Sequence, residues 1–357
     1  MKPEKSTNPD PPINSESGFS LLELLVSMII FLIVTGSVWG VLHAAQMSRQ
    51  VVNQQVANSK NVRIGLNLIG RDTYNAGYGY PLRSIVLLPD NRLAVQLGIP
   101  NDPDTSRDTV PPIIAGNDIT LNTFNTTANV FTDQVTFLFK DSTFNLVGAG
   151  DAAVSQPLNI NAATTTGGGI DEIIPLSGSN AACRVNDIFL VTGNSGSTLG
   201  VATALAGANK VQFANADVLG FNQTGASGNL RTIVTPASMT RVKMLTYFVS
   251  ADGTLTRREF APPITPAVAF VDEPMIYGVE DFQIQYVMDD GTLSNNPSAG
   301  ADGVAGTADD APANLAFVRQ VRFTISVRSI ESDQSGRYFR ETMTSTFGTR
   351  NLGYDAS

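Results

Sequence analysis

The sequence predicts an α+β chain: a long N-terminal helix, apolar throughout its first half, packed on a C-terminal domain rich in antiparallel strands. Three observations predict it. Residues Leu24–Leu42 contain no charged side chain. Apolar residues then recur at spacings of three and four to about residue 70, the period of a helix. Beyond residue 80, short alternating runs are divided by Gly, Asn, Asp and Pro, the punctuation of strands and turns.

At 357 residues and 42% hydrophobic, the chain can bury a sizeable core in one large domain or two ordinary ones. Charged residues are 15%, against about 25% in an average soluble domain. The net charge is -9 and the basic residues form no dense stretch, which argues against nucleic acid as a partner. One cysteine, Cys183, excludes an intramolecular disulfide and a cysteine-based metal site, and reads as a small buried apolar residue.

The helix begins abruptly. Residues 1–18 are polar and rich in Pro, Asn, Ser and Glu; Gly18-Phe19-Ser20-Leu21-Leu22-Glu23 then opens the uncharged run Leu24–Leu42. As a helix that run spans roughly 28 Å, close to the hydrocarbon thickness of a bilayer. A secretory signal peptide fits poorly, because its apolar core is about 7–15 residues and ends in a small-x-small cleavage site. Here the run is longer and ends in Val41-Leu42-His43-Ala44-Ala45. A plain membrane anchor leaves Glu23 unexplained, since a carboxylate inside an apolar span is costly and commonly functional. The simpler reading of Glu23 is a side chain snorkelling at the membrane surface.

Gly18-Phe19, with Glu23 four residues on and an unbroken apolar run behind it, resembles the class III signal of type IV prepilins. The resemblance covers about 25 residues. It implies that prepilin peptidase cleaves between Gly18 and Phe19 on the cytoplasmic face and methylates the new Phe19 amine. It further implies that Glu23, fifth in the mature chain, pairs with the N-terminal amine of a neighbouring subunit in a filament. A carboxylate buried in that way is tolerated only if paired, and breaking such a pair costs roughly 3–5 kcal/mol, so it suits registration. The chain departs from the family in having Glu16-Ser17 before the glycine, where Lys or Arg is common. The leader carries Lys2 and Lys5 against Glu4, Asp10 and Glu16, and Arg49, Lys60 and Arg63 lie beyond the span. Flanking charge therefore gives no orientation, which rests on the resemblance.

The expected organisation is a leader at residues 1–18, a helix at 19–76 crossing the membrane at about 19–42, and a β-rich head at 77–357 with a variable region at about 140–235. Val52, Val56, Ser59, Val62, Leu66 and Ile69 form one narrow helical stripe, predicted to lie against the head, with Gly70 and then Asn75-Ala76-Gly77 marking the helix end. The stretch Ile69–Gly79 resembles the helix end of PilW-like minor pilins. Predicted strands include Val135–Phe139, Asp187–Val191, a hairpin of Met244–Val249 with Thr254–Phe260, Asp281–Val287, Val321–Val327 and Tyr338–Phe347. The order of long helix, variable middle and C-terminal antiparallel strands is again similar to PilW-like proteins. Residues 140–235, rich in Gly, Ala, Asn and Thr, are expected to carry loops or an inserted subdomain.

No G-x-S-x-G, H-E-x-x-H, P-loop or dinucleotide motif occurs, and the single histidine, His43, lies at the outer end of the span, so no enzyme activity is expected. Gly167-Gly168-Gly169 reads as a loop. Asp289, Asp290, Asp302, Asp309 and Asp310 fall within 22 residues that contain no Lys or Arg. They read as a solvated acidic loop between strands, with calcium the cation such oxygen-rich glycine loops could hold.

The function expected from these features is that of a minor type IV pilin: a structural subunit processed by prepilin peptidase and incorporated at or near a pilus tip. Its expected partners are other major and minor pilins and the inner-membrane assembly machinery. The expected location is the bacterial inner membrane, single-pass with the head in the periplasm, and then the pilus at the cell surface. The alternatives are a pseudopilin of a type II secretion system and a membrane-anchored adhesive or binding protein.

Overall fold

Between Leu21 and Asn75 the sequence has no proline, and these 55 residues form one helix, α1. The computed structural model describes residues 20–81, 86–101, 103, 107–125, 130–150, 153–166, 169–175, 179–225, 228–332 and 336–352. The chain divides into two compact units, residues 1–54 and residues 55–357. In the first, every residue from 20 to 46 is exposed, with Phe31, Trp39 and Val41 each about 70% accessible.

The second unit holds the end of α1 and the strands, in chain order β1 (Val86–Pro89), the short helix α2 (Arg92–Leu97), β2 (Arg107–Thr109), β3 (Ile113–Leu121), β4 (Phe131–Lys140), β5 (Leu146–Val147), β6 (Val154–Ser155), β7 (Leu158–Thr166), β8 (Ile170–Pro175) and β9 (Ile188–Gly193). There follow β10 (Gly196–Val201), β11 (Ala204–Ala206), β12 (Lys210–Ala214), β13 (Ala237–Val249), β14 (Leu255–Phe260), β15 (Phe270–Ile276), β16 (Val279–Met288), β17 (Leu293–Ser294), β18 (Val318–Arg328) and β19 (Arg340–Gly348).

Strand β13 is the spine of the fold. Its N-terminal half pairs with β7 and β9, and its C-terminal half pairs with β4 and β14. Around it runs a 13-stranded sheet ordered β11-β12-β8-β7-β13-β9-β10-β1-β2, with β3, β4, β14 and β15 attached through β13. Every pairing in it is antiparallel except β1 with β10. A second antiparallel sheet runs β17-β16-β18-β19. The chain is thus a long N-terminal apolar helix followed by an antiparallel β-rich domain, the α+β architecture read from the sequence.

The predicted strands correspond to β4, β9, the β13–β14 hairpin, β16, β18 and β19. On β18, Val321, Phe323, Ile325 and Val327 are buried and alternate with less buried residues, facing Phe282, Ile284 and Tyr286 of β16 in one core. Val62, Leu66 and Ile69 of α1 enter the same core, and Ser59 donates to Glu341 at 2.6 Å.

Three expectations are corrected. Val52 and Val56 are 50% and 61% exposed, so the helical stripe is buried only from Val62. Gly70 lies inside α1 rather than at its end: a Cβ there would strike the Phe347 ring, so the glycine serves close packing. The stop is Gly77, at φ 75°, whose N–H turns to the Leu138 carbonyl. Residues 140–235 carry loops, as expected, but their strands β7 to β12 join the 13-stranded sheet rather than a separate subdomain. In β7 and β10 the side chains are mostly small or polar, so alternation is faint. Gly169 turns β7 into β8 at φ 83°, and Gly167 and Gly168 lie outside the described residues. Cys183 is buried and free, and burial pushes its thiol up to about 12.

Candidate functional site

Two backbone N–H groups open the helix and find side-chain acceptors. Ser20 Oγ accepts from the Leu22 N–H at 3.3 Å, and Glu23 Oε2 accepts from the Ser20 N–H at 3.1 Å. This reciprocal arrangement is a capping box, and its signature, Ser-x-x-Glu ahead of an apolar run, was readable in the sequence but not read there. Glu23 is therefore more than an isolated carboxylate in a span: it already satisfies a donor at the helix start. Gly18 and Phe19, the expected cleavage and methylation positions, lie outside the described residues.

Below the cap, two serines of the span bond back to the helix. Ser27 donates to the Glu23 carbonyl at 2.7 Å and Ser37 to the Ile33 carbonyl at 2.8 Å, so neither presents an unmet donor to lipid. The helix is long and apolar enough to cross a membrane, and its most apolar window has no residue buried within the protein. An exposed surface of this kind requires lipid or neighbouring apolar helices to cover it.

The prokaryotic N-terminal methylation motif matches residues 13–39, a segment that contains both the capping box and most of the span. The chain is type IV prepilin-like. As such it is a pilin- or pseudopilin-like substrate of prepilin peptidase, anchored in the membrane by its N-terminal helix and built to assemble with other pilins. No curated protein and no solved structure matches the chain.

Within the second unit, polar contacts fix the end of α1 to the strands. Asp72, 2% exposed, accepts from Tyr247 Oη at 2.6 Å and lies 3.3 Å from Arg257 Nε, tying α1 to β13 and β14. Burial, and then the Asp72 carboxylate, raise the Tyr247 phenol above its ordinary value. Asn351 Nδ2 donates to the Tyr74 carbonyl at 2.7 Å, and Leu352 packs over Gly77. Sequence reasoning passed over Asp72, although it follows the stripe residue Ile69 by three positions and so shares its face.

A second polar joint closes the other sheet. Glu280 receives two bonds from Arg340, at 2.7 and 3.0 Å, and lies 3.6 Å from Arg328 Nη1. The Arg328 guanidinium sits between the Phe124 and Tyr338 rings, 4.0 and 4.5 Å from their centroids.

The five aspartates singled out for calcium do not assemble one site. Asp289 faces Arg319 at 3.6 Å. Asp290 accepts from the Thr292 N–H and hydroxyl, and Asp302 from the Val304 N–H. Asp309 accepts from the Ala301 and Asp302 N–H groups and from the Thr307 hydroxyl; Asp310 accepts from the Gly306 N–H. Among the described residues no group of three or more carboxylates is placed to hold a metal. The carboxylates are spent on turns, and the Thr307 hydroxyl leads the bonds that hold Asp309 below the usual carboxylate range.

Proposed function

We propose that the chain is a PilW-like minor type IV pilin with no enzymatic activity, processed between Gly18 and Phe19, methylated on Phe19, and incorporated at or near a pilus tip with its β-rich head outside the inner membrane. The observation that carries the reading is the start of α1. There a single carboxylate, Glu23, stands at the head of an apolar segment exposed from residue 20 to 46 and bonds to the backbone one residue from the new N-terminus. In the free subunit Glu23 accepts from a neutral N–H. In a filament the amine of a neighbouring subunit replaces that donor with a charged one, and charge-assisted bonds are roughly twice as strong. Low dielectric among packed helices then penalises any subunit whose register leaves Glu23 unpaired.

The size of the chain, 339 residues after removal of 18 of the 357, supports a minor rather than a repeating role. The test is incorporation. Sheared pili from the source cells should contain the processed chain, and Glu23→Ala should lower its amount at least tenfold while membrane levels hold. Recovery with secretion-system pseudopilins instead of pilus subunits would assign the chain to type II secretion. Absence from every filament fraction would leave a membrane-anchored binding protein.

A further inference from the structure

A strand at the margin of a sheet presents unpaired N–H and C=O groups, and proteins ordinarily blunt such margins. In the 13-stranded sheet the outer strands β2 and β11 have three residues each, β3 is broken by a bulge between Gly116 and Thr120, and β15 carries Asp272, Glu273 and Pro274. One margin of the second sheet is closed as well. There β17 covers Tyr286 and Val287, Asn122 Nδ2 donates to the Val279 and Glu280 carbonyls, and Asp133 accepts from the Ile284 N–H. The other margin, β19, has none of these devices. It is nine residues long, pairs with β18 without a shift in register, contains no proline, and carries no charge from Thr342 to Gly348.

The phase of the ladder fixes which groups face outward. The Ser329 N–H donates to the Phe339 carbonyl at one end and the Thr349 N–H to the Arg319 carbonyl at the other, both in the β18–β19 register. Odd-numbered residues of β19 therefore bond to β18, and the N–H and C=O groups of Thr342, Thr344 and Thr346 point away from it. All three residues are exposed, and no backbone bond from another element reaches them among the described residues. The end of α1 lies on the face opposite the threonine side chains, where Glu341 accepts from Ser59 and Phe347 lies against Gly70.

We infer that the open edge of β19 takes a β-strand from a neighbouring pilin subunit, which extends the second sheet through backbone bonds to Thr342, Thr344 and Thr346. The inference rests on the chain assembling with other pilins and not on its place at a tip. The incoming segment is uncharged and rich in β-branched residues, because its cross-strand neighbours are threonines. A second copy of this chain does not fit. From Ser59 to Gly70 the helix runs beside Glu341 to Phe347 in the same direction. Two copies joined antiparallel through β19 would therefore set their α1 ends in opposite directions, whereas subunits leaving one membrane hold them alike.

The test places p-benzoylphenylalanine at position 344 of the full chain in the source cells, irradiates them, and identifies the cross-linked peptide by mass spectrometry. The expected product joins position 344 to a strand of another chain that bears an N-terminal methylation motif. Thr342→Pro combined with Thr346→Pro removes two outward N–H groups and no bond to β18, so the purified protein still melts cooperatively while the cross-link falls at least tenfold. Thr342→Val with Thr346→Val keeps those groups, and the cross-link stays within twofold. No cross-link, a cross-link to a second copy or to a chain without the motif, or an undiminished one in the folded proline variant would each overturn the inference. A cross-link to a secretion pseudopilin would support it while contradicting the pilus assignment.

Discussion

Replacing Asp72 tests whether the end of α1 is fixed to the head by a buried charge or merely by apolar packing. In the intact protein Asp72 is bonded by Tyr247 and faces Arg257, whose side chain is 15% exposed and also meets the exposed Glu273 at 3.2 Å. Asp72→Ala leaves Arg257 with the exposed Glu273 as its remaining carboxylate partner and leaves the Tyr247 hydroxyl without its acceptor. Removing one member of a buried pair costs roughly 3–5 kcal/mol, and the surviving Glu273 contact places this case near the lower end, about 3 kcal/mol. Tyr247→Phe removes one hydrogen bond to a charged group, about 2 kcal/mol. The two share an interaction, so a double-mutant cycle should return a coupling of about 1–2 kcal/mol. The assay is urea unfolding of the mature chain in detergent, with hydrogen exchange of the Ile69–Ala76 amides reporting local release of the helix end. A loss below about 1 kcal/mol for Asp72→Ala, or a coupling near zero, would refute the buried-charge account.

Gly70→Ala gains about 1 kcal/mol in helix propensity but drives a methyl into the Phe347 ring, at about 1–3 kcal/mol, so the variant should be less stable. A more stable variant by thermal melt would show that the ring gives way. Asp133, 2% exposed and bonded by the Asp118 and Ile284 N–H groups, has its carboxyl pushed up to about 6 by burial. The folded state then binds this proton more tightly than the unfolded one, so its contribution is full below about pH 4 and falls by about 3 kcal/mol as pH rises through 6. The difference in unfolding free energy between wild type and Asp133→Asn, measured from pH 4 to 7, should carry that slope; a flat difference would contradict it. Ser20→Ala removes a cap acceptor worth about 1 kcal/mol yet keeps Glu23, so filament incorporation should stay within about twofold of wild type, measured on sheared pili. A tenfold fall would mean that the cap, rather than the free carboxylate, controls assembly.

The fold was legible where burial is one-sided. Val321 to Val327 and Phe282 to Tyr286 alternate cleanly because one face of each strand meets the α1 core and the other does not. It was illegible in β7 and β10, where Leu158–Thr166 and Gly196–Val201 pair through backbone while their Ala, Thr and Gly side chains carry little apolar contrast, although β9 between them was read. The N-terminal segment was the most readable because a membrane imposes length and charge rules on sequence directly. Within it Glu23 was found but its cap with Ser20 was missed, since the search was for a carboxylate out of place rather than a donor to be satisfied. The five aspartates were read first as a solvated acidic loop, and in the structure Asp290, Asp302 and Asp309 accept from backbone N–H groups of turns. Asp72 and Asp171 are single residues whose partners lie far along the chain, at Tyr247 and Arg231. No local pattern announces such pairs.

The central claim is that the chain is a processed prepilin, and intact mass spectrometry of the protein purified from membranes tests it most directly. The account predicts a mature chain from which residues 1–18 are absent, beginning at a Phe19 that carries one methyl group on its amine. An unprocessed chain from Met1, or an N-terminus beyond the span near Ala45, would contradict it.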